Sequence, residues 1–449
     1  MSDRRELVLR GPLGRTLWTL AWPLVLANEL NVLTISILIF WLDRLLGETG
    51  LAVESLFRPV GLMAGWLFGS VGIGATVLVA RSVGARDGRA MTIVVRALSL
   101  TGWLWLALVL IAAPLAPLVA RFLAAGLPLE APLLRFFLPW LLFAFPMFLV
   151  AEILLDVVSA AGATRFGLVR VLTNLAVIAA LVPLMVAGLD LGIAGAPIAE
   201  GVGTAILAAV LWLAIRRARL GLGDAAPGAW RPDRALWREL LAIGLPVSVS
   251  RAAGFAAQLV LVQIVAREGA PAAAGYGIAS AIVLFGAVVT LALGQACGVV
   301  IGQSLGAELP ARARAALRAG LAGALVVAGG FIALTLAGDP IIALFTTDPA
   351  IAAETARALS ILRWALLGIS VWQVLLMTFA ALKATGRASA LTIAADVAGL
   401  GFAALWPGES PLAVVSLAFC VACWLKAALL LILIRVDRTA ATRLGRPSR

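Results

Sequence analysis

The sequence predicts an all-α integral membrane protein of twelve transmembrane helices, arranged as two pseudo-twofold-related six-helix bundles. Three observations predict it. The chain of 449 residues is 63% hydrophobic and only 13% charged, too apolar for a soluble fold. Apolar runs long enough to cross a hydrocarbon core of roughly 30 Å recur over residues 16–42, 51–80, 92–119, 133–159, 166–188, 192–214, 240–266, 272–302, 314–337, 357–382, 388–406 and 411–434. Finally, one stretch is used twice. Gly72-Ile73-Gly74 with Ser82-Val83-Gly84-Ala85 returns as Gly294-Gln295-Ala296 with Ser304-Leu305-Gly306-Ala307. Each copy is an apolar helix with small residues on its surface, followed by arginines (Arg86 and Arg89; Arg312 and Arg314).

Other landmarks keep this offset of 222 residues to within two: Pro23 matches Pro246 at 223, Gly47 matches Gly269 at 222, and Ala161-Gly162 matches Thr385-Gly386 at 224. Two copies of one structural unit follow. An even number of spans per copy gives both the same orientation, related by an axis along the membrane normal. The chain then divides into an N-terminus (1–15), a first six-helix lobe (16–214), a linker (215–239), a second lobe (240–434) and a basic tail (435–449). Residues 1–15 are polar and lack a small-residue cleavage site, so the first span is expected to be retained.

The net charge of +12 raises the question of nucleic acid, and the placement of the basic residues answers it. With the N-terminus inside, only Arg44, Arg121, Arg135, Arg267, Arg357 and Arg363 fall outside, and Arg58, Arg251 and Lys426 fall within the membrane; the rest of the 35 Lys and Arg are cytoplasmic. That is the positive-inside pattern. It places both termini in the cytoplasm of a cell-membrane protein and leaves no reason to invoke nucleic acid. The absence of His excludes imidazole-ligated zinc, His-ligated haem and His acid–base chemistry. Cys420-x-x-Cys423 lies in an apolar run with no ligand partner and reads as packing.

Along the chain, the first span holds Pro23 and then Asn28, Glu29 and Asn31. A carboxylate at the bilayer centre costs at least ~2.5 kcal/mol, so Glu29 should face protein or water. The second span carries Glu54 and Arg58, one helical turn apart: either a fixed ion pair or a substrate contact. The third span has no polar interior and reads as scaffold. Glu152 and Asp156 share a face of the fourth, where two carboxylates repel unless one holds a proton or a cation lies between them. The fifth offers Asn174 and Pro183, and the sixth Glu200. Five acids (Glu29, Glu54, Glu152, Asp156, Glu200) thus fall within the first copy and one, Asp396, within the second. The first copy is chemically specialised for a cation or a proton. Arg216 to Arg238, with Gly221, Gly223, Pro227, Gly228 and Pro232, reads as a linker; Trp230 and Trp237 there serve as interfacial anchors or packing. The second copy opens at Pro246 with Ser248, Ser250, Arg251 and Gln258, and its eighth span repeats the small residues that let helices approach closely.

In order, these cues resemble the multidrug and toxic compound extrusion family: Pro early in spans one and seven, Gly-x-Gly with Ser-x-Gly-Ala after span two, Ala161-Gly162-Ala163-Thr164-Arg165 after span four with its Lys383-to-Gly386 counterpart, Asn174, and Leu189-Asp190-Leu191-Gly192-Ile193-Ala194-Gly195-Ala196 before span six. The resemblance covers roughly residues 16 to 435. It implies two six-helix lobes enclosing a central cleft, with small organic compounds such as drugs exported against inward Na⁺ or H⁺ by alternating access. The protein is then no enzyme, needs no cofactor beyond the coupling ion and no bound metal, and works as a monomer in the bilayer on a small organic substrate.

The family's coupling residues are matched only in part. Its first helix commonly has an Asp before Gly-Arg, where this chain has Leu38 and then Asp43-Arg44. The fifth keeps Asn174 but has Ile178 for an Asp, and the sixth has Glu200 where Thr is common. This dismantles the usual first-lobe cation site, adds a carboxylate beside it, and favours H⁺ over Na⁺. The candidates for coupling are Glu200, Asn174, Glu29, Glu54 and Asp156; those for the substrate cleft are Asn28, Arg58, Arg251 and Gln258. Glu200 beside Asn174 is the expected proton acceptor, unless Arg170 neutralises it or it reaches water. A sister flippase for lipid-linked sugars would favour a strongly cationic cavity, of which Arg58 with Arg251 is a modest version. A membrane-embedded transferase would need more acids around Glu152 and Asp156, and a channel accounts less well for a duplicated bundle with an ionisable interior.

Overall fold

A computed structural model of the chain describes residues 2–217, 222–406, 410–437 and 442–444. Apolar segments in lipid must satisfy their backbone hydrogen bonds internally, and the described chain is accordingly helical. In order the helices are α1 (Ser2–Arg10), α2 (Leu13–Phe68), α3 (Ser70–Ala85), α4 (Ala90–Ala124), α5 (Glu130–Pro139), α6 (Phe145–Ala160), α7 (Phe166–Pro183), α8 (Gly195–Arg217), α9 (Arg234–Ala266), α10 (Ala270–Gly306), α11 (Pro310–Leu336), α12 (Asp339–Ile342), α13 (Pro349–Leu362), α14 (Ala365–Ala381), α15 (Thr385–Leu405) and α16 (Pro411–Val436). Two π-helical turns, Trp140–Ala144 and Leu184–Gly188, extend α5 and α7.

Among the described residues, ten helical stretches are long and apolar enough to cross a membrane, and α13 with α14, bent by 49°, make an eleventh. The first stretch, Leu13–Ala85, runs to 73 residues, about 110 Å at 1.5 Å per residue and far beyond one crossing. It breaks at Gly47, whose backbone (φ 60°, ψ −147°) is non-helical. Counting that break, twelve spans result. Gly269, the landmark 222 residues on, sits at φ 115°, ψ 174° before α10. Both conformations are nearly closed to residues with a Cβ, which is why this turn carries glycine in each copy. Likewise Arg86 and Glu308, also 222 apart, both take φ near +60° (58° and 59°) after Ser-x-Gly-Ala. The sequence repeat is therefore also a repeat of local backbone.

The chain forms two compact units, residues 1–5 with 23–244 and residues 6–22 with 245–449. These bounds differ from the division drawn at 16–214, 215–239 and 240–434. Residues 6–22 join the second unit, where Arg312 donates to the carbonyls of Val8 (2.7 Å) and Gly11 (2.9 Å). The described part of the linker packs on α4 in the first unit: Met91 N–H donates to Leu222 O, Ser99 Oγ to Trp230 O and Trp237 Nε1 to Arg96 O, while Arg96 pairs with Asp233. Trp237 thus packs inward, whereas the Trp230 side chain is exposed. Residues 218–221 of the linker and 438–441 and 445–449 of the tail lie outside the described residues. The first unit's core gathers Leu42, Val53, Phe57, Leu133, Leu141 and Val182; the second's gathers Val265, Tyr276, Leu359, Leu362 and Leu412.

Candidate functional site

Within the first unit, α2, α6, α7 and α8 enclose a cavity of about 320 Å³. Helical periodicity explains which side chains reach it. From α7 come Arg170, Asn174 and Ile178, each four residues apart and so on one face; from α8 come Glu200, Gly203, Thr204 and Leu207, the same pattern at i, i+3, i+4 and i+7. The π-turn and α6 contribute Trp140, Ala144, Phe145, Phe148 and Glu152, and α2 adds Thr34, Leu38, Gly61 and Leu62. Trp140 stacks on Phe145 with ring centroids 4.6 Å apart and on its other side meets Phe57 edge-on at 4.8 Å, so the aromatic wall is held from behind. Gly203 lets α8 come close to α7: a Cβ there would sit 2.5 Å from Val177 Cγ1.

The polar groups are mostly spoken for. Arg170 Nη2 lies 2.9 Å from Glu152 Oε1. Thr204 Oγ1 donates to Glu200 O at 2.8 Å and Thr34 Oγ1 to Leu30 O at 3.2 Å, each within its own helix. The Glu200 carboxyl makes no ion pair or hydrogen bond with any described residue. Its electrostatic neighbours are Glu54 and Arg58, which pair with each other at 2.8 Å. The fixed-pair reading of Glu54 and Arg58 is therefore the one the geometry matches, and Arg170 is committed to Glu152 rather than to Glu200.

Of the five coupling candidates, the cavity brings together Glu200 and Asn174. Glu54 lies beside it as the partner of Arg58. Asp156 is turned toward α3, its carboxyl against Gly72, so the expected crowding of Glu152 and Asp156 is resolved by directing them to different neighbours. Glu29 is not in the lining, and its Oε1 is buried without a hydrogen-bond partner among the described residues. Of the cleft candidates, Asn28 and Arg58 belong to the first unit and Arg251 and Gln258 to the second; none lines this cavity. Sequence reasoning missed Arg170 as the partner of Glu152 and the aromatic wall. The four-residue spacing of Arg170 and Asn174 was the signal available for the first.

Twelve apolar spans, with an ionisable, aromatic-walled cavity within the first unit, describe a multi-pass membrane transporter rather than an enzyme. The chain belongs to the MatE family, whose profile matches residues 23–185 and 246–405. It is 24% identical over 411 residues to the probable multidrug resistance protein YoeA of Bacillus subtilis (strain 168), covering 88% of this chain and 84% of that one. It is also 24% identical over 395 residues to the multidrug export protein MepA of Staphylococcus aureus (strain MRSA252), covering 87% and 86%. Among solved structures, a MOP superfamily transporter from Pyrococcus furiosus superimposes with a TM-score of 0.86 at 20% identity over 98% of both chains, which establishes the shared fold.

Proposed function

We propose that this transporter exports small organic compounds across the cell membrane in exchange for protons, with Glu200 as the residue that takes up the proton and Asn174 beside it. The observation that carries this reading is a carboxyl in no ion pair inside an aromatic-walled cavity whose one arginine is already paired, the nearby Arg58 being held by Glu54. Such a carboxylate bears its charge at a cost in low dielectric and sheds that cost by binding a proton. Proton rather than Na⁺ coupling is supported by the oxygens on offer. Glu152 holds Arg170, so Glu200 is the one carboxylate of the lining outside an ion pair, and a single carboxylate takes up a proton without the several charged oxygens that would converge on a metal ion. Export of drugs is supported by the names of the relatives YoeA and MepA. The protein acts as a monomer with both termini cytoplasmic, and it needs no cofactor other than the coupling ion.

Purified protein in liposomes, loaded with a fluorescent cationic dye and given H⁺ and Na⁺ gradients separately, tests the proposal. An imposed H⁺ gradient should drive dye movement and a Na⁺ gradient should not. Glu200→Gln should flatten the pH dependence of transport at unchanged expression. Undiminished H⁺-driven transport by that variant would move the role to another acid, and dye-independent translocation of a lipid-linked sugar would favour the flippase.

A further inference from the structure

The second unit holds a buried charge pair that the proposal above does not use. Lys426 Nζ on α16 lies 2.6 Å from Asp396 Oδ1 on α15, and the two residues are 5% and 8% exposed. The same ammonium lies 4.6 Å from the centroid of the Trp372 ring on α14, within cation–π range. Asp396 Oδ2 is buried and finds no hydrogen-bond partner among the described residues. On the α9 side it is faced by Gly254, where even a Cβ would come within 3.3 Å of Oδ2. The pair is thus asymmetric: one carboxylate oxygen holds the ammonium, the other is open, and the ammonium also rests over an aromatic face.

The choice of lysine sharpens this. The chain has 33 Arg and only 2 Lys, Lys383 and Lys426. An arginine would engage both carboxylate oxygens through its planar fork, whereas a lysine acts as a point charge on one and leaves the other free.

We propose that Asp396 and Lys426 form a proton-binding site in the second unit, in which an incoming proton adds to Asp396 Oδ2 and leaves the Lys426 ammonium held chiefly by the face of Trp372 on which it already rests. One O–H bond forms and no covalent bond breaks. The pair goes from net zero (carboxylate with ammonium) to net +1 (carboxylic acid with ammonium), the proton coming from water. The other titratable groups facing it are accounted for. Cys423, with Cys420 a turn earlier, is an electrostatic neighbour of both partners on α16; Tyr276 on α10 is a neighbour of Cys423; and Arg251 lies one turn before Gly254 on α9. From α14 come Trp372 and Gln373, whose Oε1 accepts from Thr290 of α10 at 3.2 Å. The site stands independently of the reading of Glu200.

The test uses wild-type protein labelled with ¹⁵N-lysine in lipid nanodiscs. Two lysines give two Nζ signals, assigned with Lys383→Arg. Between about pH 5 and pH 9, a window far below the ordinary titration of a lysine, the Lys426 signal should move with a single midpoint while remaining that of an ammonium. Asp396→Asn should abolish the movement. Trp372→Leu, which removes the partner the ammonium keeps once Asp396 is neutral, should shift the midpoint to lower pH by about one unit. A Lys426 signal that stays put in the wild type overturns the proposal. So does a shift that survives Asp396→Asn, which would assign the proton to a neighbour such as Cys423.

Discussion

Arg170 determines which carboxylate in the first unit is left without a partner. Its guanidinium reaches Glu152 across α6 and α7 at 2.9 Å, so Glu200 on α8 is the acid of the cavity left without an ion pair. Replacing Arg170 with Met leaves Glu152 uncompensated, and breaking a half-buried pair in this way costs about 1–2 kcal/mol. The expected outcome is a fall in the thermal midpoint of the detergent-solubilised protein. Glu152→Gln combined with Arg170→Met should recover most of that loss, because removing both charges removes the penalty. If the double variant were as unstable as the single one, the pair would be acting through packing rather than charge. The pairing was not legible in the sequence, where Glu152 reads first against Asp156 one turn away. Only the directions of α3 and α7 show that the two acids point to different helices.

At the level of the element, the α5–α6 span owes its shape to prolines. Pro139 ends α5 and Pro146 falls at the start of α6. A proline has no N–H to return to the preceding turn, and between the two the helix widens into the π-turn Trp140–Ala144, in which Phe145 N–H bonds back to Trp140 O. π-turns of this kind are frequent at functional sites. Leu141 O within the turn accepts a hydrogen bond from Trp105 Nε1 of α4 at 3.0 Å, which ties the widened turn to its neighbour and steadies the Trp140–Phe145 wall. Trp105→Phe removes that donor and should cost about 1 kcal/mol. It should lower the thermal midpoint slightly and weaken dye binding, measured by fluorescence titration. The span itself was read from its apolar run; the π-turn was not, since two prolines seven residues apart are equally compatible with a plain kink.

For the molecule as a whole, orientation follows from charge. Twelve spans return the chain to the side on which it began, and the excess of arginine in alternate loops supports the proposal that this side is the cytoplasm. The three cysteines are buried, so introduced thiols can report topology. Glu6→Cys and Thr442→Cys, both at exposed positions, should react with a membrane-impermeant maleimide in inside-out vesicles and be protected in right-side-out ones. Labelling of either from the outside would reverse the assignment.

The spans, the internal repeat and the family were determined by the sequence alone, because a bilayer judges a chain locally. Whether some twenty residues cross depends on those residues and their flanks, and a glycine that must take positive φ announces its turn wherever it falls. The pairing of Glu152 with Arg170, the isolation of Glu200, the attachment of residues 222–244 to the first unit, and the meeting of Asp396 with Lys426 and Trp372 were decided only by tertiary structure. Each depends on how far a helix is rotated about its own axis and on which neighbour it faces, and no window of sequence contains both of those quantities.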